Sequence, residues 1–361
     1  MRILYISELN PDMKSGGAVA ERRNFNCLKA NFDVEVAKVY TTQRSKCAKI
    51  KDLVFSEIPV IYSHRQVKEL KKIIKNTTAE IVFFETSSLG HLVKYAKRKG
   101  KKVICYLHNC EYSLAVQVRN RLIWKFIKKQ EKQSVKYADL LIFLNQRDIN
   151  EINRYYPTIE LRNTAIIPIT MKDIVADSDI EAMKMKKKGN RGLFIGSLFA
   201  PNYNGIKWFV ENVADKIYGQ IDIVGHNFEN CQELKRQNVN VVGTVDDISK
   251  YFIEADYVVF PIFQGSGMKV KTCEALMYGK KIFATDEALD GYKKTEGVFI
   301  NCNTAEEFIE SINSYLANDE PVFNDKARIL FETEYSNKAS NKLFADAIFN
   351  ALDLKCCELL I

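Results

Sequence analysis

The sequence predicts an α/β protein made of two doubly wound parallel sheets, and three observations carry that reading. At 361 residues the chain exceeds a typical single domain and suffices for two, each large enough to bury its own core. Short apolar runs rich in β-branched and aromatic residues alternate with longer helical stretches through both halves. Those runs are continuously apolar rather than alternating, which is the pattern of strands covered on both faces.

Taken in order, the first half offers strands at Ile3–Ile6, Val34–Val39, Ile81–Phe84, Val103–Leu107, Leu140–Leu144 and Ala165–Ile167. The second half repeats the rhythm at Leu193–Ile195, Ile221–Val224, Val239–Val242, Tyr257–Phe260, Ile282–Ala284 and Val298–Ile300. Between them Met171 to Asn190 is polar, charged and poor in apolar periodicity, so the linker is expected there. The last helix, near Asn337 to Leu352, shows an apolar stripe through Leu343, Phe344, Ala347, Ile348 and Ala351, suited to packing back on the first domain. The expected organisation is a first domain at 1–170, a linker at 171–190, a second domain at 191–336 and a returning helical tail at 337–361.

With 47% hydrophobic and 27% charged residues, the composition is that of an ordinary globular protein. The net charge of +8 is unevenly spread: basic residues crowd Arg65 to Lys136, with clusters at Lys97–Lys102 and Lys125–Lys136. Such an excess favours phosphates, acidic lipid head groups or nucleic acid. Nucleic acid is set aside, because no binding motif appears and +8 is modest for this length. The stretch Arg119 to Lys136 interleaves its basic residues with Leu122, Ile123, Trp124, Phe126 and Ile127, which suits either an anionic membrane surface or a solvated helix face. The nine cysteines form no CxxC pair and no Cys/His metal spacing, so a reducing cytoplasm and no bound metal are expected. Strand-like sequence begins at Arg2, and no apolar run nears the roughly 20 residues a membrane span needs. The expectation is a soluble or peripheral protein without a signal peptide.

The richest chemistry lies in Pro261–Gly279. A buried strand runs into the turn Gly265-Ser266-Gly267, and a helix then opens with Lys269 and Lys271 in its first turn and Glu274 one turn on. Free N–H groups and the positive end of a helix dipole make such a junction an anion site. Two lysines raise the charge offered to a diphosphate, and Glu274 can accept from ribose hydroxyls. The competing reading is a tight turn flanked by solvated lysines.

Elsewhere the pair Gly16-Gly17 follows the first strand, where backbone can approach a ligand closely, although an ordinary flexible loop reads the same way. The GxGxxG spacing of dinucleotide binders is absent there. His108 ends an apolar strand and precedes Asn109 and Glu111. Its imidazole can donate to a sugar hydroxyl, with Glu111 orienting it or accepting a proton; the alternative is a helix cap. Glu85 has the same address at the end of Ile81–Phe84.

The segment Gly265–Gly279, followed by Lys281–Tyr292, resembles the donor-binding region of family 4 glycosyltransferases of GT-B fold, nearest to bacterial members in surface-polysaccharide gene clusters. Gly196-Ser-Leu-Phe-Ala-Pro-Asn-Tyr-Asn-Gly205 looks like that family's opening of the C-terminal domain, and Ala255–Pro261 like its strand before the donor loop. Gly16-Gly17 and His108–Glu111 also fit. The resemblance implies two Rossmann-like domains facing a cleft, a UDP- or GDP-sugar donor, no cofactor, and metal-independent transfer with retention to a glycan or lipid-linked acceptor. It places the nucleotide base beside Thr244 and Val245, and the donor loops at Gly196, Ser197, Gly265, Ser266, Gly267 and Met268. His108, Glu111 and Lys269 are the catalytic candidates.

Two departures stand out. Many members carry two glutamates eight positions apart; here Glu274 is the second and Ser266 stands in place of the first, which leaves sugar contacts to the backbone N–H groups of Gly267 and Met268. Many members also place an arginine and a lysine after the first C-domain strand, where this chain has Ser197, so phosphate neutralisation falls on Lys269 and Lys271. A GT-B nucleotide-sugar epimerase and a non-catalytic sugar-nucleotide-binding subunit are the rival readings.

Overall fold

The computed structural model describes residues 1–7, 16–40, 63–118, 121–265 and 267–352. The chain divides into two compact units, one of Met1–Pro168 with Ser340–Ile361 and one of Ile169–Ala339. Each holds a six-stranded sheet whose paired strands are all parallel.

In the first unit the strands are β1 (Arg2–Ser7), β2 (Asp33–Lys38), β3 (Ile81–Phe84), β4 (Lys102–Leu107), β5 (Leu140–Phe143) and β6 (Thr164–Ile166), in the order β2-β1-β3-β4-β5-β6. Every residue of β3 and β5 is buried, as continuous apolar runs require. The edge strands depart from that expectation: β2 buries only Ala37 and β6 buries none, because an edge has a neighbour on one side alone. The final helix, Asn337–Ala351, buries Phe344, Ala345 and Ile348 and leaves Leu343 at 38% exposure, so the apolar stripe is rotated from the one expected. Phe344 lies against Phe83 of β3 and Tyr106 of β4, with ring centroids 6.5 and 6.4 Å apart. Large aromatic area buried on the sheet is what fixes this helix to the first unit.

The second unit contains β7 (Arg191–Ile195), β8 (Gln220–Val224), β9 (Val239–Gly243), β10 (Tyr257–Phe260), β11 (Lys281–Ala284) and β12 (Phe299–Asn301), ordered β12-β11-β10-β7-β8-β9. Read from β7, this is the 3-2-1-4-5-6 order of a doubly wound sheet, with its switch point between β7 and β10. Residues 171–190 are not a bare connector. They carry the helix Asp177–Met185, whose Met183 is fully buried. The lysines that gave the stretch its linker-like composition are engaged: Lys186 with buried Asp256, and Lys188 Nζ with the Tyr315 carbonyl at 2.8 Å.

No described helix is long and apolar enough to cross a membrane.

Candidate functional site

In the second unit the strand ends at the switch point bring together the residues singled out in the sequence. After β10 the chain turns through Gly265 and Gly267, both at positive φ (150° and 61°), and enters the helix Val270–Met277. Gly267 sits in the left-handed region that only glycine adopts without strain. Ser266 lies outside the described residues. The loop is held from the segment after β11. Thr285 donates its hydroxyl to the Ile262 carbonyl, and the Tyr292 phenol donates to the Lys269 carbonyl at 2.8 Å. Met268 is buried at 6% exposure, and its sulfur takes the Ile169 N–H at 3.4 Å.

The two lysines are not equivalent. Lys269 occupies the residue before the helix, and its ammonium turns back to the Gly267 carbonyl at 2.9 Å and to Glu287 Oε1 at 2.7 Å. It is therefore committed to closing its own loop. Lys271 reaches across the switch point instead. Its Nζ donates to Asn202 Oδ1 at 2.6 Å and lies 4.8 Å from the centre of the Phe194 ring. Asn202 in turn donates Nδ2 to the Ser197 carbonyl at 2.8 Å, so one amide links the loop after β7 to the lysine. Gly196 makes this possible: a Cβ there would fall 2.8 Å from both Lys271 Nζ and Asn202 Nδ2.

Desolvation pushes the Lys271 ammonium down to about 7, with Glu274 opposing the shift and Lys269 adding to it. The same burial pushes the Glu274 carboxyl, three residues along the helix, up to about 7, against the pull of Lys271. A cation and a carboxyl thus stand on the first turns of one helix, each short of solvation and each gaining from a polar ligand. Asn202 is the member of this group that sequence reasoning missed. Its signal was the absence of the expected arginine and lysine after β7, which left an asparagine to join that loop to a cation from elsewhere.

Farther along the sheet Thr244 follows β9. Its N–H and hydroxyl both donate to Glu229, at 3.0 Å for the N–H, so its backbone donor is in use within the unit. Val245 is half-buried beside it.

In the first unit Gly16 and Gly17 open the helix Gly16–Asn31; residues 8–15, which connect it to β1, lie outside the described residues. His108 leaves β4 as expected, but its partner is Glu85 at the end of β3, not Glu111: Nε2 stands 3.0 Å from Glu85 Oε1. Glu85 is 4% exposed and also accepts from Tyr5 Oη at 2.7 Å and Asn24 Nδ2 at 2.6 Å. Burial raises its carboxyl above the ordinary range, while these bonds act in the opposite direction. Glu111 instead begins the helix Glu111–Val118, where its backbone N–H donates to Glu131. The reason is topological: β3 and β4 are adjacent, so residues leaving their ends meet, whereas Glu111 has already entered the next helix. Among the described residues no group of three or more His, Cys, Asp or Glu is placed to hold a metal ion.

Residues 189–318 match a family model described as glycosyl transferases group 1. No curated protein sequence matches the chain. Solved structures share its fold across nearly the whole length. The apo lipopolysaccharide outer core galactosyltransferase WaaB superposes with a TM-score of 0.69 at 16% identity, covering 97% of this chain and 99% of its own. HepE of Anabaena in complex with UDP gives 0.67 at 13%, covering 97% and 100%. Sucrose-phosphate synthase from Thermosynechococcus elongatus gives 0.68 at 15%, covering 98% and 99%. At these identities the likeness establishes the two-sheet GT-B fold.

Proposed function

We propose that this chain, a glycosyltransferase of GT-B type with a group 1 glycosyltransferase domain at 189–318, moves a sugar from a nucleotide-diphosphate donor to an acceptor hydroxyl with retention of configuration. The observation that carries the donor assignment is Lys271 held by Asn202 over Gly196, at the switch point and at the N-terminus of Val270–Met277. A diphosphate there meets an ammonium and the N–H groups of a helix N-terminus together. HepE, which shares the fold, was solved in complex with UDP, and this supports a nucleotide of the same kind here.

Catalysis on this reading is electrostatic. As the bond from the anomeric carbon to the diphosphate oxygen breaks, its electron pair stays on the leaving oxygen. Lys271 and the helix N-terminus stabilise the charge that grows there. The acceptor oxygen bonds to the anomeric carbon, and its proton passes to the departing phosphate. Lys269 keeps the loop closed, and Glu274 takes the ribose hydroxyls. In the first unit the His108–Glu85 pair holds an acceptor hydroxyl, its imidazole fixed by a buried carboxylate.

The acceptor is a glycan or lipid-linked sugar of surface polysaccharide synthesis, met at the cytoplasmic face of a membrane. Exposed Lys125 and Lys129 and half-buried Trp124 and Phe126 of the helix Arg121–Tyr137 supply the basic and aromatic groups for that contact. A thermal-shift panel of nucleoside diphosphates and sugar nucleotides tests the donor assignment. Stabilisation by at least one nucleoside diphosphate, lost in Lys271→Met, is expected; no stabilisation by any member of the panel would contradict it.

A further inference from the structure

We infer that Glu131 is a positioning residue, whose buried carboxylate binds together the loop after β3 that carries Glu85 and the loop after β4 that carries His108. The inference rests on the reading that this pair serves the acceptor.

Glu131 lies in the helix Arg121–Tyr137, in the middle of the basic stretch, and is 0% exposed. Its Oε1 accepts the Glu111 backbone N–H at 2.7 Å and the Ser87 hydroxyl at 3.3 Å. Its Oε2 accepts the Tyr112 backbone N–H at 3.2 Å and the Tyr156 phenol at 2.8 Å, with Cys110 Sγ 3.6 Å away. Ser134, three residues on, donates its hydroxyl to the Ser87 carbonyl at 2.7 Å. One helix therefore grips Ser87 from two positions, Glu131 and Ser134, and the first of these also holds the start of Glu111–Val118.

The spacing gives the arrangement its consequence. Ser87 is two residues beyond Glu85, and Cys110 is two residues beyond His108. The contacts of one carboxylate thus span both chain segments that deliver the His108–Glu85 pair. A carboxylate out of water is expensive, and this one is compensated by four donors from three separate segments. Simply terminating a helix would need only a serine or aspartate at its own N-cap. Burial pushes the Glu131 carboxyl up to about 7, with the Tyr156 and backbone bonds pulling it down.

Glu131→Gln keeps the volume but replaces one acceptor oxygen by an NH2 group, which cannot accept from donors such as Tyr112 N–H and Tyr156 Oη. The test compares histidine ring 1H–13C cross-peaks of the ligand-free full chain at fixed pH. The chain has four histidines, so His108→Gln assigns the peak. In folded Glu131→Gln the His108 cross-peak is expected to move or broaden while those of His64 and His226 stay. Nucleoside diphosphate affinity, set in the second unit, is expected to hold within about twofold while kcat falls roughly ten- to a hundredfold, as small misplacements of reacting groups do. Tyr156→Phe removes a single donor and should move the same peak less, which decides the matter if the glutamine variant does not fold. A His108 peak superimposable on wild type in every folded variant would overturn the inference. Because the ring signal is read without substrate, it stands or falls separately from glycosyl transfer itself.

Discussion

Replacing Lys271 by methionine keeps an unbranched side chain of similar volume and removes the ammonium that lies 4.8 Å from the centre of the Phe194 ring and that Asn202 holds over Gly196. The magnitude follows from the geometry. Two unit charges at about 4 Å interact by about 4 kcal/mol at an effective dielectric near 20, which is a ceiling. After desolvation, a charge-assisted contact is worth about 1.5–3 kcal/mol, or roughly ten- to a hundredfold in affinity. The pH dependence adds a signature. In the free protein burial holds Lys271 near 7, so at pH 6 the ammonium is already present when the donor arrives. At pH 8 binding must take up a proton, at about 1.4 kcal/mol for the unit of pH. The wild-type advantage over Lys271→Met should therefore be largest at pH 6 and about tenfold smaller at pH 8. A sugar nucleotide is the right probe for calorimetric titration, because its diphosphate does not change ionisation across this range. Equal affinity of the folded variant and wild type at pH 6 would rule out Lys271 as a ligand of the donor diphosphate.

Three further outcomes are expected. Glu274 should give preference for a ribonucleotide over the 2′-deoxy analogue, since a carboxylate spanning two adjacent hydroxyls loses one of them; equal binding of the two by wild type would contradict that role, and Glu274→Gln should mainly weaken binding. Transfer should persist in excess EDTA, because Lys271 and the helix N-terminus supply the positive charge; turnover abolished by the chelator and restored by a divalent ion would falsify this. Co-sedimentation with anionic vesicles should be strong at low salt and lost at high salt, each basic residue contributing about 1 kcal/mol and the attraction being screened over about 10 Å at 0.1 M. Equal binding to neutral vesicles would leave the basic face merely solvated.

The strand plan was legible because inner strands of a parallel sheet are apolar without interruption, as Ile81–Phe84 and Tyr257–Phe260 are. The turn at Gly265 and Gly267 and the helix bearing Lys271 were legible because their signals are local. What escaped was pairing. Nothing in the spacing distinguishes Glu111 from Glu85 as the partner of His108; only the adjacency of β3 and β4 does. Lys269 and Lys271 look alike in sequence, yet two positions along the turn send one to Glu287 and the other to Asn202. Glu131 sat inside a stretch read for its positive charge, although its own face of the helix is buried. Lys186 and Lys188 read as linker because their partners, Asp256 and the Tyr315 carbonyl, lie 70 and 127 residues away.

The most direct test of glycosyl transfer is to incubate the full chain with a sugar nucleotide chosen from the binding panel, with and without candidate lipid-linked or glycan acceptors. Nucleoside diphosphate release and glycosylated product are followed by mass spectrometry. Release is expected to depend on the acceptor, to match the product formed, and to fall roughly ten- to a hundredfold in Lys271→Met assayed below saturating donor. Isomerisation of the donor without an acceptor, or tight donor binding with no product on any acceptor, would contradict it.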